Sequence, residues 1–399
     1  MLKGSSSRLA LVLLGIAVAT AFGYYVSSRP MDFRVYHFGA RGVFDGTRPV
    51  YGLNSGLGWP MHYRYPPLFL LMFAPLAALP LGLAAGLWVA GKVAALIAII
   101  LALRKRAVKA ATASSIVVAV LFIAPYIIED FRYGNAQFFV VALTIAALWF
   151  VRKRPLIAAA SLALGISIKV WPAFFLPYLL VRRDWKPVAW TLVFVLVLAL
   201  VPSTYFGWSG NLSLLGQWYG QEIGTQLGES EIWFPNQSLR GMLMRYLTVI
   251  DYSQVPDSKY AAVNIAALNP ATVRTIWLVL VAGAYAGFLF FANRRRTTDG
   301  WLDHGLAFSL LPLLEPFTQK YALVVLLWPA MLIPRLTKLP VIRSLIYCAT
   351  ILVLIQPLTQ GAAAQRFLQV LGMDFAATAL LAIAIGIACV DEVRLKVKS

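Results

Sequence analysis

The stretch LALVLLGIAVATAFGYYVSSRPMDFR, residues 9–34, decides the fold class of this chain. Its first 18 residues carry no charge, and roughly 20 such residues in a helix cross the apolar core of a bilayer. The rest of the chain has the same character, since 60% of its 399 residues are hydrophobic and only 13% are charged. We therefore predict an all-α polytopic membrane protein. No small-residue cleavage site follows residues 9–26, so we read them as an uncleaved first span rather than a signal peptide.

Basic clusters separate the apolar runs, and Lys and Arg are typical of cytoplasmic loops. The net charge of +19 then reflects these loops, and we expect no nucleic-acid partner. With every cluster in the cytoplasm, both termini are cytoplasmic. About twelve transmembrane segments result, at 9–26, 82–103, 112–128, 136–151, 156–168, 170–181, 188–205, 272–293, 304–314, 321–334, 343–358 and 374–390.

Several of these segments are too short to cross a bilayer alone. The stretches 156–181 and 304–334 each begin and end at basic clusters, so we expect each chain segment to enter and return. Lys169 lies near the first tip, and Glu315 to Lys320 form the second. Such broken helices must pack inside protein around a polar cavity. The proline-bounded segment 66–80 is interpreted as a helix that dips into the outer face.

The resulting organisation is one integral membrane domain, 1–399, with two large outer loops. The first loop covers residues 27–65 and contains a helix, while the second covers residues 206–271. The second loop is rich in Trp, Tyr and Gly, which favours an amphipathic layer at the lipid headgroups. The two cysteines, Cys348 and Cys389, lie in apolar runs and indicate packing rather than a disulfide.

The first outer loop carries more arginine than outer loops usually do. Two interpretations are open: these side chains contact lipid headgroups, or their guanidinium groups recognise a phosphate. The residues concerned are Arg29, Arg34, Arg41, Arg48 and Arg64.

Asp32 follows the first span at headgroup depth. A partly desolvated carboxylate there can act as a general base on a hydroxyl. The alternative is structural, because the following residues start a helix and Asp is a favoured N-cap, or it pairs with Arg34. His37 and His62 in the same loop could orient a sugar or phosphate, or simply lie at the interface. No nucleotide, hydrolase or metal-binding motif is present, so we expect no cofactor and leave a metal requirement open.

Several short motifs follow in order along the chain. They are Tyr51, Tyr65-Pro66-Pro67-Leu68, Pro75-Leu76-Ala77, Leu79-Pro80, Gly134-Asn135-Ala136-Gln137, Lys169-Val170-Trp171-Pro172, Tyr178-Leu179, Arg182-Arg183, Asn236-Gln237-Ser238-Leu239, Arg245 and the segment Pro316 to Pro329. In order and spacing, together with the acidic residue after the first span, they resemble glycosyltransferase family 87 of the GT-C superfamily. The resemblance covers most of the chain.

The resemblance implies a GT-C fold and an inverting hexosyltransferase. The donor would be a polyprenyl-phosphate sugar, usually mannose, and the acceptor a lipid-linked or glycan hydroxyl. Transfer would take place on the extracytoplasmic face of the bacterial inner membrane, with Asp32 as the base and membrane lipid around the protein.

Two segments of the chain depart from the family pattern. The family often has a serine before the proline of the late tip and histidines after it, where this chain has Glu315 and Lys320-Tyr321. A lysine still binds phosphate as a point charge. Asn135 and Gln137 are exchanged relative to the family's GQxN.

The remaining site predictions follow from this reading. We expect Lys169 and Lys320 to meet at the donor phosphate, with Arg64 and Arg34 nearby. The alternatives are helix capping for the amides and interfacial anchoring for Lys169. The predicted sugar or acceptor contacts are Asn135, Gln137, Asn236, Gln237, Gln319, Tyr65 and His62.

Other functions stay open at this point. A lipid or polysaccharide transporter would also have broken helices, but it would favour two similar halves, and the sequence has no convincing internal repeat. A lipid-linked polysaccharide ligase would transfer a whole glycan instead of one sugar.

The predicted topology places both outer loops outside the cell membrane. Cysteines introduced at Ser55 and Ser230 should therefore react with an impermeant thiol reagent in intact cells. Labelling of either position only after permeabilisation would contradict the loop assignment.

Overall fold

The computed structural model describes residues 5–29, 31–52, 62–107, 112–224, 232–249, 262–337, 339–358 and 362–397. Ser55 and Ser230 lie outside this described part of the chain. Within it there are α-helices, short 3₁₀ and π turns, and no strand. The α-helices are α1 (Ser5–Ser28), α2 (Asp32–Phe44), α3 (Pro67–Ala77), α4 (Leu81–Ala107), α5 (Ala113–Tyr133), α6 (Gln137–Phe150), α7 (Pro155–Ile168), α8 (Phe175–Val181), α9 (Trp185–Leu200), α10 (Ser203–Tyr219), α11 (Leu239–Leu247), α12 (Pro270–Arg294), α13 (Trp301–Leu314), α14 (Leu327–Leu336), α15 (Pro340–Leu358), α16 (Ala362–Val370) and α17 (Met373–Val397).

The prediction of an all-α polytopic membrane protein is confirmed. Four helices among the described residues are long and apolar enough to cross a membrane, namely those within α4, α5, α12 and α17. Two bent pairs, α1 with α2 and α9 with α10, raise the number to six if each pair forms one span. Most other predicted segments coincide with shorter apolar helices of 10–17 residues, whereas 321–334 covers a 3₁₀ helix, Lys320–Leu326, and most of α14.

One predicted span ends earlier than the hydrophobic pattern indicated. Residues 188–205 were expected to be continuous, but α9 ends at Leu200 and the chain turns at Pro202. The axis of α10 is bent by 95° from that of α9. Helix α10 has no charged residue and exposes Tyr205, Trp208 and Tyr219. Such amphipathic rings are typical of headgroup depth, and a headgroup layer formed by the second outer loop stays a prediction.

The chain forms two compact units, and the first comprises Met1–Ala102, Ile128–Pro172 and Ala189–Gln226. Its core contains a cluster of aromatic rings from α2, α3 and α4. Tyr36 meets Phe69 edge-on with ring centroids 5.2 Å apart, and Phe73 meets Trp88 at 5.4 Å. The His37 Nε2 atom also lies 2.9 Å from the carbonyl oxygen of Leu79. These contacts fix α2, whose first residue is Asp32.

The second unit comprises Leu103–Ile127, Ala173–Val188 and Leu227–Ser399. Within it, Phe308 of α13 stacks with Trp328 of α14. One turn before Phe308, Gly305 lies against Leu332, which is one turn after Trp328. This order of contacts shows that α13 and α14 run antiparallel, as a helical hairpin. The stretch 304–334 therefore enters and returns as expected. For 156–181, α7 belongs to the first unit and α8 to the second, so that return path stays a prediction.

A buried ionic cluster holds the second unit together. Both carboxylate oxygens of Asp303 are bound: Oδ1 accepts from Arg295 Nε at 2.6 Å, and Oδ2 accepts from Arg182 Nη1 at 2.9 Å. Thr298 Oγ1 also donates to Oδ2 at 2.9 Å. The sequence analysis placed both arginines in basic clusters between apolar runs and did not predict their burial. Both are buried, because the carboxylate of Asp303 lies between them and Glu392 pairs with Arg295 as well.

Replacing Asp303 by Asn should destabilise the protein. Loss of one partner from a buried ionic cluster costs about 3–5 kcal/mol, since the other charges stay buried. We expect the apparent Tm of the protein in detergent to fall by about 5–10 °C. The control is Asp45→Asn, which removes the exposed partner of Arg41 at 3.6 Å and should cost less than about 1 kcal/mol. Equal melting of the two variants would contradict the account.

Candidate active site

Asp32 is the first residue of α2 and is half-buried. The N-cap of this helix is Met31, and the helix has no side-chain cap hydrogen bond. The alternative that Asp32 serves as an N-cap is therefore wrong. Its carboxylate is directed at another segment instead, since Oδ2 accepts a hydrogen bond from Asn135 Nδ2 at 2.7 Å.

Asn135 is a buried residue that connects a carboxylate to an ammonium group. Its Nδ2 donates to Asp32, while its Oδ1 accepts from Lys169 Nζ at 3.0 Å and from the Gln137 backbone N–H at 2.8 Å. An amide is suited to this position because one end donates and the other accepts. The donor to the carboxylate and the acceptor for the ammonium thus belong to one planar group. We call Asp32, Asn135 and Lys169 the amide bridge.

Gly134 permits the turn that delivers Asn135. It has a φ of +65°, in the left-handed region that favours glycine. A methyl group there would lie 2.6 Å from Phe33 Cβ and 2.7 Å from Val26 Cγ1. The Gly134 carbonyl oxygen accepts from Trp88 Nε1 at 2.8 Å. The turn between α5 and α6 therefore lies directly against the start of α2, beside Asp32.

Lys169 is positioned by a break in helical structure. Helix α7 ends at Ile168, and Lys169 has extended backbone, with φ −139° and ψ 133°. Its Nζ atom lies 5.6 Å from the ring centroid of Tyr65, whose hydroxyl donates to Asn135 Oδ1 at 3.4 Å. The Tyr65 hydroxyl is also hydrogen-bonded to that of Tyr36. The half-buried ammonium group is thus held in place beside an aromatic face.

The surroundings of Asp32 act on the pKa of its carboxyl group in opposite directions. Burial raises the pKa of its carboxyl above the usual value, while the Asn135 hydrogen bond and the charges of Lys169, Lys92 and Arg64 act to lower it. Burial is the largest effect, so the group is a stronger base than a solvated aspartate. It works as a base only when ionised, and that form is lost as the pH falls through the raised pKa.

The two predicted outer loops contact each other through Trp218, Gln221 and Glu222. Gln221 Oε1 accepts from the Gly52 backbone N–H at 3.0 Å, and Gln221 Nε2 donates to the Tyr63 carbonyl at 2.8 Å. Arg64 is exposed, with a nitrogen 3.7 Å from a Glu222 carboxylate oxygen. Trp218 Nε1 donates to the Arg64 carbonyl oxygen at 3.2 Å. Nothing in the sequence pattern indicated this contact between the two loops.

The other predicted residues of the first unit have separate contacts. Gln137 Oε1 accepts from Trp171 Nε1 at 3.1 Å. Together with the bond from Lys169 to Asn135, this is a second connection between residues 134–137 and residues 169–172. The Arg34 guanidinium lies 5.3 Å from the Phe38 ring centroid. His62 is half-buried in the first outer loop. The structure therefore brings Asp32, Asn135, Lys169, Gln137 and Tyr65 together.

The remaining predicted residues belong to the second unit. Asn236 and Gln237 are buried and bond to backbone: Asn236 Oδ1 accepts from the Thr318 N–H at 3.1 Å, and Gln237 Nε2 donates to the Gln369 carbonyl at 2.8 Å. Lys320 is buried and donates to Gln356 Oε1 at 3.3 Å, and Gln319 is half-buried. Their roles toward a substrate, and the meeting of Lys320 with Lys169, stay predictions.

Sequence reasoning missed one buried ion pair of the first unit. Lys92 in α4 donates to Asp130 Oδ1 at 2.6 Å, and neither side chain is exposed. The signal was available, because Lys92 is the one charged residue in the apolar run 82–103. An ionisable residue inside a membrane segment by default indicates function.

Comparison with known proteins identifies the family. The model of glycosyltransferase family 87 matches residues 63–314, well over half of the chain. The chain belongs to glycosyltransferase family 87. The match includes Tyr65, Asn135, Gln137 and Lys169, whereas Asp32 precedes it.

Two curated relatives are similar to this chain. Both are named polyprenol-phosphate-mannose-dependent α-(1-2)-phosphatidylinositol mannoside mannosyltransferase, and both are 32% identical to it. In the Mycobacterium tuberculosis protein the similarity covers 44% of this chain and 45% of the relative. In the Mycolicibacterium smegmatis protein it covers 39% of each. The chain thus spans less than half the length of the curated relatives it matches.

Replacing Gly134 by Ala should damage the site more than the same change at another left-handed glycine. At Gly134 the added methyl group meets the start of α2, whereas Gly46 has the same φ of +65° and nothing within 4 Å. Both variants carry a backbone strain of about 1 kcal/mol. Only Gly134→Ala should in addition lower glycosyltransferase activity, by roughly tenfold or more, because it displaces Asp32. Equal activity of the two variants would show that close packing at Gly134 does not position the site.

Proposed function

We propose that this protein transfers a hexose from a polyprenyl-phosphate donor to a lipid-linked or glycan acceptor. Family membership supports the reaction class, and the names of the two relatives favour mannose and a polyprenyl-phosphate donor. The apolar helices support an integral membrane protein. The site would face the periplasm or exterior of the bacterial inner membrane, as the basic loops predict.

The amide bridge is the observation that carries this proposal. The reaction needs a carboxylate that removes a proton from the acceptor and a cation that stabilises the departing phosphate. Asn135 holds one of each, through bonds of 2.7 Å to Asp32 and 3.0 Å to Lys169. Both end groups are half-buried, so they can reach a ligand and are still shielded from bulk water.

The transfer itself requires one displacement. Asp32 accepts the proton of the acceptor hydroxyl as its oxygen attacks the anomeric carbon of the donor sugar. The bond from that carbon to the phosphate oxygen breaks, and polyprenyl phosphate leaves with the electron pair. Attack opposite the leaving group inverts the anomeric configuration. Because the donor is already activated, positioning and charge stabilisation supply much of the rate.

Cations near the bridge would stabilise the leaving group. Lys169 is the first candidate because it is bound to the same amide as the base, and Arg64 follows because its charge reaches Asp32. Arg34 and Lys320 are proposed for the same phosphate. Lys320 supplies a compact charge where the family often has histidines.

Six further polar side chains are proposed to contact the sugar or the acceptor. Gln137, Tyr65 and His62 lie in the same unit as Asp32, while Gln319, Asn236 and Gln237 lie in the other. For Asn236, the bonds to backbone around Pro316 and Thr318 support a second role, since they shape the tip that carries Lys320.

Replacing Asp32 by Asn tests the base directly. The variant keeps the size of the side chain and loses its basicity, so transfer from polyprenyl-phosphate mannose should fall by about two orders of magnitude or more. Donor binding and Tm should change little. The matched control is Asp45→Asn, an exposed carboxylate of the same loop, which should keep its activity.

Three outcomes of this experiment are informative. Near-normal transfer by Asp32→Asn would remove Asp32 from the mechanism. Movement of the intact donor across vesicles by the wild-type protein, without cleavage, would identify a flippase instead. Transfer of a preassembled glycan would identify a ligase.

A further inference from the structure

The buried pair of Lys92 and Asp130 is the strongest feature of the first unit that the proposed mechanism does not use. Lys92 lies in α4, and Asp130 lies in the last turn of α5. The Lys92 Nζ atom donates to Asp130 Oδ1 at 2.6 Å and to the Asp130 carbonyl oxygen at 3.0 Å. Both side chains are 0% exposed. The ammonium also lies 5.3 Å from the ring centroid of Phe131.

The pair holds the segment that carries Asn135. Trp88 and Lys92 are one helical turn apart on α4 and therefore face the same way. Trp88 donates to the carbonyl oxygen of Gly134, and Lys92 binds Asp130 four residues earlier. Helix α4 is thus hydrogen-bonded both to the end of α5 and to the turn that follows it. Asn135, the next residue, makes the hydrogen bond to Asp32.

Packing alone does not account for this pair. Two charges inside a membrane protein are costly to bury, and apolar residues of similar volume fill such a space at least as well. The pair is also incompletely satisfied, because Asp130 Oδ2 has no hydrogen-bond partner within the described residues. A buried charge with this cost is best explained by an effect on a neighbouring group.

Asp32 is that neighbouring group. The positive charges of Lys92, Lys169 and Arg64 all favour the ionised form of Asp32. Lys92 differs from the other two because its side chain is fully buried. Asp130 and Tyr133 also interact electrostatically with Asp32, and the negative charge of Asp130 opposes the effect of Lys92. The direct bonds to Asp130 fix the Lys92 ammonium group behind the amide bridge.

We propose that Lys92 is a positioning residue for Asp32: anchored by Asp130, it holds the turn that carries Asn135 and places a positive charge behind the Asp32 carboxylate. This inference rests on the proposed role of Asp32 as the base. Lys92 touches neither the donor nor the acceptor in this account. It acts through the turn and through its charge.

The ionisation of Asp32 can be followed without any transfer reaction. Dicyclohexylcarbodiimide modifies protonated carboxyl groups in apolar surroundings, and peptide mass spectrometry reports modification of Asp32 at each pH. In Lys92→Met the carboxylate loses a favourable charge, so the protonated, reactive form should persist to higher pH. We expect the midpoint to rise by about half a pH unit or more. Lys92→Arg keeps the charge and should keep a midpoint close to that of wild type.

The controls separate this effect from general damage. Lys186→Met removes an exposed lysine and should leave the Asp32 midpoint unchanged. If Lys92→Met does not fold, Lys92→Gln, which can still donate to Asp130, serves for the same measurement. An Asp32 midpoint that does not move when the charge of Lys92 is removed overturns the proposal.

A transfer assay on the same proteins tests the proposed function separately from the proposed role of Lys92. In Lys92→Met the acid limb of the rate profile should move to higher pH together with the modification midpoint. If wild-type protein fails to transfer mannose while the midpoint still moves, the proposed function fails and the effect of Lys92 on Asp32 stands. If transfer proceeds and the midpoint is unmoved, the proposed function stands and the role of Lys92 fails.

Discussion

The hydrogen bonds of the Asn135 amide connect the two charges on which the chemistry depends. One end of the amide binds the Asp32 carboxylate, and the other accepts from the Lys169 ammonium. A direct contact between the two would neutralise both and leave neither for a substrate. The intervening amide keeps them near each other and separately available. The left-handed turn at Gly134, the break after α7 and the aromatic packing of α2 all serve to bring these three side chains together.

The same physical constraint explains the other charged clusters of the protein. A charge in low-dielectric surroundings must be paired, so Lys92 binds Asp130 and the two arginines of the second unit bind Asp303. These buried pairs stabilise helix ends. The amide bridge differs, because its two charged side chains are half-buried and are joined by hydrogen bonds to one neutral amide. Partial exposure together with incomplete neutralisation is what a reactive site requires.

Much of the fold could be predicted from the sequence, because apolar run length and basic loops follow directly from the physics of the bilayer. Every predicted segment coincides with helical residues, whereas the turn at Pro202 inside 188–205 was missed, since hydropathy does not record a bend within an apolar run. Asp32, Asn135 and Lys169 were recognised individually. Their connection through one amide was not predictable, because it depends on three distant segments meeting. The burial of Arg182 was not predictable for the same reason, because its partner, Asp303, is 121 positions away.

The central claim is that Asp32 and Asn135 act as one unit, and a double-mutant cycle of transfer rates tests it most directly. Asn135→Ala alone should slow transfer from polyprenyl-phosphate mannose on the order of tenfold or more, because the carboxylate loses its hydrogen-bond donor. In an Asp32→Asn background, Asn135→Ala should have little further effect, since the base that it orients is already absent. Single-turnover assays with radiolabelled donor can resolve such low rates. A double variant slowed by the full product of the two single effects would contradict the account, because the two residues would then contribute independently.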